Sequence, residues 1–295
     1  MSKLVRAISE NGGAAISILD STEIVAQMEQ YHHPSAVVSA ALGRLLTGAA
    51  LMSATLKSED DSLTLRVKGD GPAGLLLAVA DGRGNVKGYV ENNIVEIPSR
   101  LDGKLDVGGA VGHEGILTVI KDIGLKEPYV GQVPLVSGEI AEDLTSYYAT
   151  SEQTPSVCAL GVLVNPDLTI QKAGGYLLQL LPGATDQEID RLEQNISGMK
   201  SMTTLLSEGV SVYQIIEQVL DGFSPNVLDE SDVQYHCDCS RERVERALIS
   251  LGAEELKNIL REQGSCQMTC QFCDAVYRFD GPELQKLIDS LEAKK

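Results

Sequence analysis

Hydrophobic and polar positions change their period along the chain, and each change predicts an element. Around Leu63–Val67 the segment SLTLRV alternates apolar and polar residues, then reaches Gly69-Asp70-Gly71-Pro72. Alternation of period two ending in a Gly/Pro turn predicts a strand. Leu75–Ala80 and the segment NVKGYV after Asp81-Gly82-Arg83-Gly84 are bounded by glycines in the same way and predict two more. Ser35 to Leu56 has helical spacing instead, with Val38, Ala41, Leu45, Thr47–Ala50 and Leu51 set among small residues. A second helix is predicted after Ser137, through GEIAEDLTSYYATSE. This order predicts an α+β fold with a mixed α/β-sheet domain, not a regular βαβ series.

Pro182-Gly183 breaks the pattern, and Thr185 to Glu188 then reads as a capping box, whose side chains satisfy two orphan amides at a helix start. Ile189, Leu192, Ile196, Met199 and Leu206 fall on one face of the helix that follows. A second short helix fits Ser211–Leu220, with Gly222 as its stop and Pro225 beyond. This amphipathic pair either packs on the first domain or forms a docked linker that can come loose, and the two states can alternate. The expected organisation is residues 1–181 as the N-terminal core domain, 182–230 as a helical linker and 231–295 as a small C-terminal module.

Composition narrows the function classes. Hydrophobic residues make up 43%, but aromatics only 4% with no Trp, so aliphatic side chains must fill the core. A formal charge of −18 opposes a nucleic-acid binder, which needs Lys and Arg to displace phosphate counterions. Lys3 and Arg6 are followed by Glu10 before any long apolar run, unlike a signal peptide. The apolar stretches Leu75–Ala80 and Val157–Val164 are too short to span a bilayer. A cytoplasmic protein without membrane contact is expected. In that reducing compartment cysteines serve as metal ligands or redox groups more often than as structural disulfides.

Five of the six cysteines lie between Cys237 and Cys273. Cys237-Asp-Cys239 and Cys270-Gln-Phe-Cys273 are two close pairs on either side of a spacer that splits at Gly252 into SRERVERALISL and AEELKNILREQ. Such pairs supply four thiolates to one tetrahedron, the pattern of a structural zinc site. Four soft sulfurs favour Zn2+, and a closed four-cysteine set leaves no open position for substrate. His236, beside Cys237, is an alternative ligand, whereas His32, His33 and His113 lack ligand spacing and are expected at surface or turn positions. Cys158, within TPSVCALGVLV, reads as a buried small hydrophobe. Cys266, Cys270 and Cys273 also match the spacing by which radical S-adenosylmethionine enzymes hold an iron–sulfur cluster. There the motif precedes most of a barrel, and the match leaves Cys237 and Cys239 unused.

A C-x-C pair is tighter than the usual C-x2-C and can be oxidised locally as well as chelate metal. Structural zinc contributes about 10–16 kcal/mol in small fingers, whereas a disulfide closing a very short loop contributes roughly 2 kcal/mol. Oxidation is therefore expected to unfold the module. The plain alternative is a purely structural zinc site.

The chain resembles the redox-regulated heat-shock protein family of thirty-three kilodaltons, bacterial holdase chaperones. The resemblance runs from Ala41–Lys57 and Leu65–Gly74 through Gly115–Val164 to the two cysteine pairs. It implies one Zn2+ held by Cys237, Cys239, Cys270 and Cys273 in a reduced, inactive form. It implies oxidation of Cys237 with Cys239 and of Cys270 with Cys273, release of zinc, and loss of structure in module and linker. Dimerisation, ATP-independent binding of unfolded clients and their transfer to ATP-dependent foldases are implied with it. Cys266 departs from the four-cysteine pattern and stands as a possible auxiliary thiol. The expected protein is thus a binding protein and not an enzyme; the alternatives are an acidic zinc-ribbon regulator and a thiol–disulfide oxidoreductase.

Overall fold

The computed structural model describes residues 2–292 and divides into two compact units between His236 and Cys237. The first unit begins with strands β1 (Ser2–Ile8) and β2 (Ala14–Asp20), then helices α1 (Thr22–His32) and α2 (Ala36–Ser53). Strands β3 (Ser62–Gly69), β4 (Leu75–Asp81) and β5 (Val86–Val90) follow, then the short helix α3 (Val107–Val111). Next come β6 (Gly115–Asp122), β7 (Tyr129–Pro134), α4 (Ala141–Tyr147) with a π-helical turn at Tyr148–Glu152, β8 (Ser156–Val164) and β9 (Ile170–Leu180). Helices α5 (Asp186–Ser197), α6 (Met202–Ser207) and α7 (Val212–Val219) lead to strand β10 (Asn226–Val233).

Two antiparallel sheets result, in the orders β5-β4-β3-β6-β7 and β10-β1-β2-β9-β8. The first sheet is buried on one face only. Leu63, Leu65 and Val67 of β3 and Leu76, Ala78 and Ala80 of β4 point inward, and the residues between them are more exposed. That is why β3 alternates legibly in sequence, whereas β4, an unbroken apolar run, alternates only in burial. The second sheet is buried on both faces: Leu19, Ala173 and Leu177 join the core around α1 and α2, while Ile16, Ile18, Tyr176 and Leu178 join a second core beneath α5–α7.

Helix α2 lies in the core between the sheets, with all its side chains from Val37 to Ser53 buried except Arg44. A helix apolar all round must be enclosed. At 18 residues and a mean hydropathy of 1.5, α2 is long and apolar enough to cross a membrane, but 89% of it is buried inside the protein. Gly43 permits this packing, because a Cβ there would lie 2.7 Å from Val25 and 2.9 Å from Val162.

The linker region differs in detail from the sequence expectation. The helix expected to run from Thr185 past Leu206 is two helices, broken at Gly198, with Ser201 accepting a hydrogen bond from the Thr204 amide to start α6. The capping box at Thr185 and Glu188 is present, and a second one at Ser211 and Gln214 opens α7. Leu192 and Leu206 are buried on the second sheet together with Met202, Leu205, Ile215, Ile216 and Val219. His32 is also a correction: it is buried, with Nε2 3.1 Å from the Gly88 carbonyl oxygen and 3.3 Å from the Tyr235 hydroxyl. His33 caps α1 in a left-handed conformation, and His113 is exposed with Nδ1 2.9 Å from the Ser137 carbonyl oxygen.

The sequence places the start of the last module near Ser231, but β10 pairs along β1 from Asn226 opposite Ile8 to Val233 opposite Ser2. The second unit therefore opens at Cys237. It contains α8 (Arg241–Ser250), α9 (Ala253–Gln263), the hairpin β11 (Cys266–Thr269) and β12 (Val276–Phe279), and α10 (Gly281–Glu292). Leu248, Leu256, Phe279, Leu284 and Ile288 form its buried core. A core of that size does not by itself stabilise a domain, so a metal or another staple is needed.

Candidate metal centre

Two short segments of the second unit carry the thiols. Cys237 and Cys239 lie in the extended segment before α8, whose start is set by Ser240: its hydroxyl accepts from the Arg243 amide. The Arg243 side chain turns back to the Asp238 carbonyl oxygen, 3.1 Å away, and to the Asp238 carboxylate. This ties down the residue between the two cysteines. Cys270 and Cys273 occupy the β11–β12 turn, closed by hydrogen bonds from the Cys270 amide to the Ala275 oxygen and from the Asp274 amide to the Cys270 oxygen, both 2.9 Å.

The four sulfurs converge. All lie within 4.8 Å of one another, Cys237 Sγ is 3.7 Å from Cys270 Sγ, and Cys239 Sγ is 3.4 Å from Cys273 Sγ. A tetrahedron with Zn–S bonds of about 2.3 Å has S···S edges of about 3.8 Å. The donor set and its spacing fit one tetrahedral, sulfur-preferring ion. The contacts link one pair to the other, so an ion here would tie the Cys237–Cys239 segment to the hairpin.

The thiols are not electrostatically alike. Burial pushes the Cys237 thiol up, and burial likewise raises Cys273 to about 11. Burial also opposes ionisation of Cys239, but hydrogen bonds from the Tyr277 hydroxyl and the neighbouring thiols outweigh it and hold Cys239 below the ordinary thiol value. The Tyr277 hydroxyl donates to Cys239 Sγ across 3.0 Å, and that bond raises the phenol to about 12. These surroundings favour the ionised form of Cys239.

Of the other residues singled out in sequence, Cys266 pairs with Phe279 in the hairpin and packs against the module core, apart from the sulfur cluster. The iron–sulfur spacing it completes in sequence is not gathered in space. His236 is held in the first unit, its amide donating to the Val86 oxygen at 2.8 Å. Cys158 packs against the α2 core, where burial pushes its thiol up to about 12. Tyr277 and Arg241 escaped the sequence reading. The signal for Tyr277 was the period-two pattern of VYRF, which turns Tyr277 and Phe279 to the core side and exposes Val276 and Arg278.

An α+β body with helices laid across one sheet, followed by a small module with four convergent thiols, defines a class of protein with a cysteine cluster that could hold a metal ion. The sequence model of the family described as Hsp33 protein matches residues 2–280, and the chain belongs to that family. The 33 kDa chaperonin of Lachnoclostridium phytofermentans is 46% identical, covering 97% of this chain and 97% of that protein. That of Clostridioides difficile is 44% identical, covering 98% and 99%. The crystal structure of the 33 kDa chaperonin (heat shock protein 33 homolog) from Thermotoga maritima superposes with a TM-score of 0.91 at 35% identity, covering 99% of both chains. Membership of this family makes the protein a chaperone, one that binds client proteins.

Proposed function

We propose that this protein is a redox-regulated, ATP-independent holdase of the cytoplasm, in which Zn2+ on Cys237, Cys239, Cys270 and Cys273 holds the inactive state. The observation that carries the reading is the convergence of the two cysteine pairs, within 4.8 Å, in a unit whose own core is a handful of side chains. Zinc bound there supplies most of the free energy that keeps such a module folded, about 10–16 kcal/mol in comparable small sites. Two equivalents of peroxide convert the four thiolates, with four protons, into two disulfides and four waters, and the ion leaves. Pairing within each close pair, Cys237 with Cys239 and Cys270 with Cys273, removes every metal–sulfur link between the two segments.

Helices α8 and α9 are about a dozen residues or fewer, and isolated helices of that length are marginal in water. They melt once the clamp is lost. The activated state then sheds α5–α7 from the second sheet, uncovering Ile16, Ile18, Tyr176 and Leu178 together with the apolar face of the helices. Apolar surface of that extent binds other unfolded chains. The active form dimerises, holds its clients without nucleotide, and yields them to ATP-dependent foldases when reductant returns. Zinc content and suppression of client aggregation, measured on the same samples before and after peroxide with mild heat, test this reading. Activation with zinc fully retained would overturn it.

A further inference from the structure

Arg241 follows Cys239 by two residues, yet its side chain is committed to the opposite half of the module. Its guanidinium lies over the Phe279 ring, 4.3 Å from the centroid, and Phe279 is 1% exposed. Nη1 donates to the Arg278 carbonyl oxygen at 3.1 Å, Nη2 to Glu283 Oε1 at 2.7 Å, and Nε lies 3.6 Å from Glu245 Oε1. One planar fork thereby grips the end of β12, the first turn of α10 and its own helix, while its flat face covers the largest side chain of the module core. Lysine cannot reproduce that geometry, because the stacked face and the divergent donors belong to guanidinium alone.

The same two segments are joined by the sulfur cluster: Cys237 and Cys239 on one side, Cys270 and Cys273 on the hairpin. We propose that Arg241 is a positioning residue for this four-thiol site, holding the Cys237–Cys239 arm against the β12–α10 corner through contacts that do not use the sulfurs. Metal loss and opening of the module are then separate steps. With the arm held, displaced sulfurs stay near the ion and recapture it. Without Arg241 each broken metal–sulfur bond frees the arm to leave. The inference rests on the four-thiol reading only in its consequence for metal retention; the clasp itself is made of contacts without sulfur.

The test uses the full-length reduced protein and the variants Arg241→Ala and Arg241→Lys, loaded with one equivalent of Zn2+ or Co2+. Loss of the supporting contacts around ligating groups costs about 10–100-fold in metal affinity in other sites. Arg241→Ala is therefore expected to surrender zinc to a chelator about 10-fold faster than wild type, with Arg241→Lys between them. The cobalt absorption bands should keep their tetrahedral-thiolate form in Arg241→Lys. In the metal-free reduced protein, amide exchange across Arg241–Ser250 should be faster in Arg241→Ala than in wild type. Equal chelator rates in all three proteins, or equal metal-free exchange, overturn the proposal. If Arg241→Ala does not fold, Arg241→Lys decides alone, since a wild-type zinc-loss rate in it overturns the proposal. If wild type itself takes up no metal, the four-thiol reading fails, and the metal-free exchange comparison still judges the clasp.

Discussion

Tyr277 donates its hydroxyl to Cys239 Sγ across 3.0 Å, the foremost of the hydrogen bonds that favour the Cys239 thiolate. Removing the hydroxyl in Tyr277→Phe leaves the ring packed but strips the thiolate of its donor. Hydrogen bonds to charged groups contribute about 1.5–3 kcal/mol. Zinc affinity should fall about tenfold or more, and oxidation at Cys239 should slow at neutral pH because less of the thiol is ionised. Competition with a chromophoric chelator measures the first and timed alkylation of Cys239 the second. Unchanged affinity would show that the tyrosine contact is incidental.

Cys237→Ser together with Cys239→Ser removes two ligands at once while leaving the hairpin pair intact. Most of the metal contribution is lost, so the second unit should loosen even in reductant, and the variant should bind clients at least partly without oxidant. Hydrogen exchange across residues 237–292, read beside an aggregation assay, checks both statements. A protected second unit that still needs oxidation for activity would falsify the clamp mechanism.

Ile216 of α7 is 2% exposed against the second sheet. Ile216→Ala should weaken the docking of the linker helices by about 2–4 kcal/mol. If the linker masks the client surface, this variant will bind an apolar dye and suppress aggregation in reductant with its zinc content unchanged. Weaker thermal stability without any gain in binding would mean that the linker is not the mask.

Cys158 has no sulfur partner in the metal cluster, and burial holds its thiol near 12 against an ordinary 9.0. Cys158→Ala should leave zinc binding and oxidative activation intact, at a stability cost of about 1–2 kcal/mol. The raised value also has a sign. Below pH 9 the thiol is protonated in folded and unfolded chains alike, so its contribution is fully present. Between pH 9 and about 12 only the unfolded chain ionises, and stability falls as pH rises. Denaturant melts of wild type and Cys158→Ala from about pH 7 to 11 should therefore converge at the alkaline end.

Much of the protein was legible because some residues carry their structural meaning locally. Strand β3 alternates since its sheet has one wet face, and the capping box at Thr185 is complete within four residues. The cysteine pairs announce a thiol site because each pair is a chelate by itself, whatever the rest of the chain does. Strands β1 and β9 do not alternate cleanly, since helices cover both faces of their sheet, and that burial exists only after the chain has folded. His32 looked like a surface residue because nothing near it in sequence announces Gly88 or Tyr235. Residue order alone gives two cysteine pairs with helices between them, and leaves His236 and Cys266 open as alternatives. Folding in three dimensions adds that the pairs meet across the module, that Tyr277 singles out Cys239, and that Arg241 grips Phe279. The cysteine and Tyr277 contacts join residues on opposite sides of both spacer helices, Arg241 reaches from the start of α8 to the strand beyond them, and no local pattern encodes a distance in space.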